Sequence, residues 1–406
     1  MRSLTFRALF ASEVVSTTGS AMTFVALPWF VLVTTGSATR TSFVLAAEIL
    51  PVALFGIPSG SVVARLGARR SMLLADLVRA PLVALVPVLH WTGDLTFGGL
   101  LAIVFLLGLF SAPYSAAQRS IIPEVLGDDE TVVAKASGLF GAANHLPIVI
   151  GPSIAGVLIA WIGTAPLLVV DAGTFGFAFL TVLGLVRAGK PVPASDESSG
   201  ILAGVRYLAR DTLLGPLTLV TIILDGAANG IGVAVPLLAY TRYDRNPHVA
   251  GWIFTAFGIG ALVSSLLVVK LLDRVAPLRL ACVGMMAAPL PLWIVVAPVP
   301  WPVVGLAVVL CGLCIPLVNA PMMGMLTARP PAALRAKVIS AVMAASGAGG
   351  PLGRLVIGPL YNWGGNAAVW SEVAGGLTLG GVLFVAAVVR SSARDAPDVV
   401  AMPPVA

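Results

Sequence analysis

Residues 97–117 read FGGLLAIVFLLGLFSAPYSAA, a run of 21 residues that holds no charged side chain. A helix rises about 1.5 Å per residue, so this run is long enough to cross the hydrocarbon core of a bilayer, which is about 30 Å thick. A helix satisfies its backbone hydrogen bonds internally, as a segment surrounded by lipid must. The run therefore predicts a transmembrane helix.

The same pattern recurs along the whole chain. Only 10% of the 406 residues are charged and 58% are hydrophobic, whereas a soluble domain carries about 25% charged residues. Apolar blocks lie at 8–33, 41–64, 71–90, 97–117, 138–160, 166–187, 214–239, 249–271, 278–297, 302–326, 338–361 and 367–389. They predict an all-α polytopic membrane protein with twelve transmembrane helices, and little chain remains for a soluble catalytic or binding domain. The first block follows a short head without a small-residue cleavage signal, which indicates a retained span rather than a signal peptide.

Basic residues concentrate on one side of the predicted bilayer. If the N-terminus is cytoplasmic, the outer loops hold only Arg40, Arg242 and Arg245, and the inner loops and tails hold most of the other lysines and arginines. This bias follows the positive-inside rule and predicts that both termini are cytoplasmic, in the plasma or inner membrane of the cell. The net charge of +6 then reflects orientation in a bilayer rather than binding to nucleic acid.

The longest break between blocks, 188–213, divides the chain into two sets of six spans. Its segment 190–200 reads KPVPASDESSG, a polar linker that contains proline. Residues 201–214 carry apolar side chains at helical spacing, which predicts an amphipathic helix on the inner membrane surface; a plain connecting loop is the alternative. We therefore expect an N-terminal half at 1–188, a linker at 189–213, a C-terminal half at 214–390 and a tail at 391–406.

The two halves carry a related pattern. Residues 151–163 (GPSIAGVLIAWIG) and 353–365 (GRLVIGPLYNWGG) share G-x4-G-x-L-x2-W-x-G at an offset of 202 residues. This offset is half the chain and places the fifth span onto the eleventh. A duplication of six spans about an axis along the membrane normal is one architecture of secondary transporters.

Three segments resemble motifs of the major facilitator superfamily, in its drug-efflux and siderophore-efflux branch. Residues 60–70 (GSVVARLGARR) are similar to the loop motif G-x3-D-R-x-G-R-R, and 75–80 (ADLVRA) to the D-x-x-R-A of the efflux branch. The stretch from Gly138 to Gly151, Pro152 and Gly156 is similar to the antiporter motif G-x8-G-x3-G-P-x2-G-G. The resemblance covers essentially the whole chain and implies a proton antiporter whose spans 1, 4, 7 and 10 line a central cavity.

The loop motif implies a gating role for residues near the inner surface, namely Gly60, Arg65, Gly67, Arg69 and Arg70. Gly67 permits a tight turn between two spans, and Arg69 and Arg70 anchor that turn at the anionic inner leaflet. Ala64 and Ala68 stand where the family has an aspartate and an arginine, and that aspartate helps to lock the cytoplasmic gate. Asp76, with Arg69, Arg70 and Arg119, is a candidate substitute. In the antiporter motif, Pro147 and Ala155 replace glycines.

Charged residues inside apolar blocks are candidates for function, because a charge at mid-bilayer costs about 2.5–3.5 kcal/mol on insertion scales. Asp225 lies near the middle of span 7 on a stripe with Thr218, Thr221 and Asn229. The implied cavity-lining position of span 7 predicts that Asp225 and Asn229 face the cavity and bind substrate or a proton. The alternative for Asp225 is a structural hydrogen bond to a neighbouring helix.

Glu13 lies about two turns into span 1, with Ser12, Ser16, Ser20 and Thr23 on its polar side. Since burial penalises its charged form, its carboxyl group is a candidate for proton exchange; a carboxylate that reaches the inner headgroups is the alternative. His145 in span 5 carries an imidazole that titrates near neutral pH, and it is either a proton carrier or a packing residue.

Asp76 and Arg79 are one turn apart near the inner surface, which favours a local structural pair over a gating role. Glu48 and Arg354 are each about seven residues from the outer ends of spans 2 and 11, which corresponds to a depth of roughly 10 Å. The resemblance makes these spans neighbours, and an ion pair offsets much of the cost of both charges. We predict that this pair forms an outer gate; the alternative is that Arg354 extends outward and Glu48 binds substrate or a polar neighbour.

The most consistent interpretation is a monomeric transporter that exports small amphipathic or hydrophobic compounds, such as a drug, antibiotic or natural product, by proton antiport. An importer or a siderophore or metabolite transporter of the same fold, and less so a non-transporting receptor, remain alternatives. We expect no enzymatic activity, cofactor or metal site. There is no G-x4-G-K-[ST] loop for ATP, and Cys311 and Cys314 have no second ligand pair.

Overall fold

The computed structural model describes residues 4–126, 147, 150–186, 197–331 and 334–395, and this part of the chain folds into helices joined by short turns. The α-helices are α1 (Leu4–Thr35), α2 (Ala38–Leu66), α3 (Ala68–Thr92), α4 (Phe97–Leu126), α5 (Ile150–Ile162), α6 (Thr164–Leu185), α7 (Glu197–Arg210), α8 (Leu214–Arg242), α9 (Pro247–Leu272), α10 (Pro277–Ala287), α11 (Trp301–Ala328) and α12 (Arg335–Asp395). A 3₁₀ helix (Leu290–Val296) follows α10.

The prediction of an all-α polytopic membrane protein is confirmed. Within the described residues, 10 helical segments are long and apolar enough to cross a membrane. The count of twelve spans stays a prediction, because only part of the fifth block is described and blocks 11 and 12 both lie in α12. The ninth block also differs from a single α-helix, since it changes to a 3₁₀ helix around Pro289 and Pro291.

Two of the glycines with positive φ make tight reversals of the chain. Gly67 has φ of 82° and alone separates α2 from α3, which confirms the tight turn predicted there. Gly365 has φ of 64° and, with the non-helical Gly364, divides α12 into arms at 335–363 and 366–395. A positive φ is unfavourable for residues that have a Cβ, so glycine suits both positions.

The helix predicted at 201–214 is present as α7, which begins and ends about one turn earlier in the chain. Leu208 packs with Leu326 and Val338 in an apolar cluster of the C-terminal half. Asp211 accepts hydrogen bonds from the amides of Leu213 and Leu214 and pairs with Arg329 at 2.9 Å. These contacts fix the helix to the C-terminal half.

The internal repeat is visible in helix packing. A side chain at Gly151 of α5 would meet Ala21 of α1, and one at Gly353 of α12 would meet Gly226 of α8. Likewise, Gly156 lies against Pro247 of α9, and Gly358 lies against Ala38 of α2. Equivalent glycines thus make equivalent contacts, one within each half and one across to the other half, as a duplicated structure requires.

The repeated tryptophans occupy equivalent positions as well. Trp161 ends α5 with 78% of its surface exposed, and Trp363 ends the first arm of α12 with 84% exposed. Both lie in apolar helices next to a turn, where tryptophan commonly marks the boundary between membrane and water.

The halves are joined at one end of the bundle. We call the end at which α1 begins the inner end and the opposite one the outer end, following the predicted orientation. One apolar cluster at the outer end contains Phe30 and Leu45 from the first half and Leu237 and Trp370 from the second. At the inner end the described residues form separate apolar clusters, one in the N-terminal half and two in the C-terminal half. Among the described residues, the two halves thus share an apolar core at the outer end and have separate apolar cores at the inner end.

Candidate functional site

Glu13 is buried inside the N-terminal half. Only 1% of its surface is exposed. Its carboxyl group accepts hydrogen bonds from Thr17 Oγ1 at 2.9 Å, from Tyr114 Oη at 3.3 Å and from Gln118 Nε2. Glu13 and Thr17 are one turn apart on α1, and Tyr114 and Gln118 are one turn apart on α4, so two facing helices hold one carboxyl group. This geometry contradicts the alternative of an interfacial carboxylate.

A cavity of about 170 Å³ opens beside this carboxyl group. Its wall is made by polar side chains of α1, α3 and α4, namely Glu13, Ser16, Thr17, Ser20, Arg79, Ser111, Tyr114, Ser115 and Gln118. Ser16 and Ser20 thus share the polar side predicted for α1. Ser12 and Thr23 do not line the cavity: Ser12 donates to the carbonyl of Leu9, and Thr23 donates to Asp171.

Asp76 and Arg79 lie one turn apart on α3, with Arg79 Nη1 3.9 Å from Asp76 Oδ1. The local pair expected on this turn is present and buried, since Asp76 is 0% exposed and Arg79 is 9% exposed, and its position near the inner surface stays a prediction. The Arg79 guanidinium lies over the ring of Phe175 at 4.0 Å and over that of Tyr114 at 5.1 Å. Burial by three neighbouring helices, rather than distance along the sequence, sets the environment of this pair.

Asp171 of α6 joins α6 to α1. It is buried and accepts a hydrogen bond from Thr23 Oγ1 at 2.6 Å and from Thr174 Oγ1 at 3.1 Å. These two hydroxyl groups give Asp171 a structural role between the two helices.

Glu48 and Arg354 meet across the two halves. Arg354 Nη1 donates to Glu48 Oε2 at 3.2 Å and to the carbonyl of Leu45 at 2.9 Å. The predicted ion pair is therefore present in a conformation whose outer end is packed. Asn362 extends the junction by donating to Thr39 Oγ1 at 2.9 Å. Whether the pair acts as a gate stays a prediction.

The polar side chains of the stripe on α8 form hydrogen bonds mainly with backbone carbonyls of the same helix. Thr218 and Thr221 donate to backbone carbonyls one turn earlier, and Asn229 Nδ2 donates to the carbonyl of Asp225 at 2.9 Å. Asn229 also lies beside Gly350 of α12. Asp225 is half-buried, and its orientation toward the cavity and its role in binding remain predictions.

Whether the loop motif supplies a substitute lock stays a prediction, because the side chain of Arg119 lies outside the described part of the structure. Arg69 donates to the carbonyls of Leu183 and Val186 at the end of α6, and the recorded ion-pair partner of Asp76 is Arg79. Gly60 and Arg65 lie in the last turns of α2, and Arg70 lies in the first turn of α3. His145, Gly138 and the antiporter-motif residues before 147 lie outside the described residues.

Sequence reasoning missed three members of the site and one further acid. Tyr114, Gln118 and Thr17 are neutral polar residues, and only their contact with Glu13 distinguishes them. Glu372 in the second arm of α12 is half-buried, and its Oε2 has no hydrogen-bond partner in the described part of the chain. The rule that charged residues in apolar blocks are candidates also applies to Glu372.

The described helices form a bundle of two halves that are joined at one end, with a buried carboxyl group beside a cavity. This arrangement of helices is the fold of major facilitator superfamily transporters. The solved structure of the nucleoside transporter NupG superposes with a TM-score of 0.78 over 96% of this chain and 99% of that one, at 14% identity. A likeness at this identity concerns the fold.

The chain belongs to the transmembrane secretion effector family of this superfamily, whose family model matches residues 1–402. It is 31% identical over 393 residues to the multidrug efflux pump Tap of Mycolicibacterium fortuitum, covering 90% of this chain and 91% of that protein. It is 28% identical over 388 residues to Tap of Mycobacterium tuberculosis (strain ATCC 25618 / H37Rv), covering 91% and 90%. The implied family is confirmed, and its members are transporters.

Proposed function

We propose that this protein exports small amphipathic or hydrophobic compounds across the cell membrane by proton antiport with alternating access. The similarity to multidrug efflux pumps over nine-tenths of the chain supports export of drug-like compounds. The separate apolar clusters at the inner end support a conformation that takes substrate from the cytoplasm. The packed outer end is the barrier that would open in the next step.

The observation that carries the proposal is the environment of Glu13. Its carboxyl group is buried, borders a cavity, and is held by the neutral donors Thr17, Tyr114 and Gln118. Burial penalises the charged form of this carboxyl group, whereas the three donors stabilise that form, so the group can exist with or without a proton. Proton binding from the outside and release to the inside would therefore be coupled to which side the cavity faces.

The test uses purified protein in liposomes, a panel of lipophilic dyes and drugs, and a pH gradient imposed across the membrane. Wild-type protein should concentrate at least one compound in the compartment that is more acidic, because protons leave as substrate enters. Glu13→Gln keeps the shape and removes the exchangeable proton, so it should abolish accumulation but retain gradient-independent exchange. Asp94→Asn, an exposed change outside the bundle, is the matched control.

Loss of accumulation in both variants would show damage to the protein rather than a coupling role. Full accumulation in Glu13→Gln would place the coupling elsewhere, with Asp225, Glu48 and His145 as the next candidates. Accumulation in the alkaline compartment would favour the importer, the runner-up function.

A further inference from the structure

Asp76 is a fully buried carboxyl group without a hydrogen bond. Neither of its oxygens has a partner among the described residues, and no part of it is exposed. Arg79, one turn away, lies at 3.9 Å, which is too far for a hydrogen bond. A buried carboxyl group left unpaired is unfavourable, and a buried unpaired carboxylate is more so. The structure thus favours the protonated form of Asp76 in this conformation.

The carboxyl groups around Arg79 outnumber its single positive charge. The charged and titratable groups around Asp76 are Arg79 on its own helix, Glu13 on α1, Tyr114 on α4 and, through Arg79, Asp171 on α6. Three carboxyl groups share one guanidinium. Asp171 is served by two hydroxyl donors and Glu13 by three neutral donors. Asp76 has no donor of its own, and it depends on Arg79 most.

Arg79 is placed to serve either Glu13 or Asp76. Its guanidinium borders the Glu13 cavity and rests on the ring of Phe175, and its Nε has no hydrogen-bond partner in the described part of the chain. An arginine that is held by an aromatic face rather than by a carboxylate can turn between two acceptors without losing a strong hydrogen bond. The cavity reaches Glu13 and Arg79, and Asp76 lies behind Arg79 at 3.9 Å.

We propose that Asp76 is a second proton-binding site of the transporter, coupled to Glu13 through the shared Arg79. Arg79 neutralises whichever of the two carboxyl groups has released its proton, and the other keeps its proton. The two groups then titrate as one interacting pair, in two steps that belong to the pair. This inference rests on the proposed proton antiport and adds a site to it.

The first experiment is infrared difference spectroscopy of the purified protein across a pH titration, which detects the C=O band of protonated carboxyl groups. Asp76→Asn should remove one such band, and Asp94→Asn should remove none in the same range. In Glu13→Gln, the remaining Asp76 band should disappear at a lower pH than in wild type, because Arg79 is no longer shared. Asp76→Glu keeps the carboxyl group and should shift the frequency of the band. This variant replaces Asp76→Asn in the experiment if Asp76→Asn does not fold.

The second experiment measures proton release on substrate binding with a pH indicator. Wild-type protein should release protons over two pH ranges, and Asp76→Asn over one. If Asp76→Asn leaves every band and both ranges unchanged, Asp76 binds no proton and the inference is wrong. If the Asp76 band is independent of Glu13, the sharing of Arg79 is wrong. Failure of the proposed antiport has a different signature, since gradient-driven accumulation would then be absent from the wild type while the Asp76 band could remain.

Discussion

At the scale of single residues, Arg354 shows why a charge is retained inside an apolar helix. It is 7% exposed, and its Nη1 donates to one carbonyl and one carboxylate of the other half, whereas its Nε has no hydrogen-bond partner among the described residues. Removing one partner of a buried pair leaves an uncompensated charge, whereas removing both leaves none. The pair therefore links the stability of the packed outer end to two residues on different halves.

This predicts a non-additive double variant. Glu48→Gln and Arg354→Gln should each destabilise the protein by about 1–3 kcal/mol, the scale of a hydrogen bond to a charged group. The double variant should lose less than the sum of the two, because neither charge is left alone. Thermal unfolding of the four proteins in one detergent measures this, with Arg274→Gln, an exposed arginine, as the control. Strict additivity would mean that the pair contributes nothing to the packed outer end.

Functional residues could be predicted from the sequence where a charged side chain lies in an apolar block. Glu48 and Arg354 stand out because each lies in an apolar block, and their equal depth suggested a contact that the structure contains. Tyr114 and Gln118 gave no such signal, since polar neutral residues are tolerated in helices for many reasons. The burial of Asp76 was missed because depth along one helix does not reveal which other helices cover it.

At the scale of helices, the paired glycines determine how closely the two halves approach. A Cβ at Gly156 would lie 2.9 Å from the Pro247 carbonyl oxygen, and one at Gly358 would lie 2.7 Å from that of Ala38. The sequence repeat predicted that these positions are equivalent. The partners, α9 and α2, could not be read from the sequence motif, because they depend on how the halves are assembled.

Gly156→Ala and Gly358→Ala should each weaken outer closure, because a methyl group would overlap backbone atoms of the other half. Overpacking of this kind costs about 1–3 kcal/mol, so the outer-closed population should fall several-fold. Labelling of Thr39→Cys by a water-soluble maleimide measures opening and should be faster in both variants. Gly305→Ala, where the added methyl meets nothing within 4 Å, should label as slowly as the parent. Unchanged labelling in all three would show that these contacts do not limit closure.

At the scale of the whole molecule, the proposed alternating access requires the two halves to move relative to each other. The composition and repeat predicted a two-half helical bundle, and they were sufficient for that level of description. They contained nothing about conformation, because neither composition nor the repeat indicates at which end of the bundle the two halves pack together. The separation of the inner apolar clusters is a property of this one state.

A cross-link at the outer end should therefore stop transport. Thr39 and Asn362 are bonded across the halves at 2.9 Å, and Thr241 and Asn366 are bonded at the same distance within the C-terminal half. In a background with Cys282, Cys311 and Cys314 replaced by serine, the cysteine pair at Thr39 and Asn362 should lose transport when cross-linked and regain it after cleavage of a reducible linker. The pair at Thr241 and Asn366 should stay active. Continued transport by the cross-linked first pair would exclude opening at this end.

Exchange of substrate for protons at Glu13 is tested by measuring the proton movement that a substrate gradient drives. Liposomes containing the protein and a pH-sensitive dye, but no pH gradient, are given an outward substrate gradient. We predict that the interior acidifies as substrate leaves through the wild type, and that it stays neutral with Glu13→Gln. Substrate efflux without acidification in the wild type, or with alkalinisation of the interior, would contradict the account.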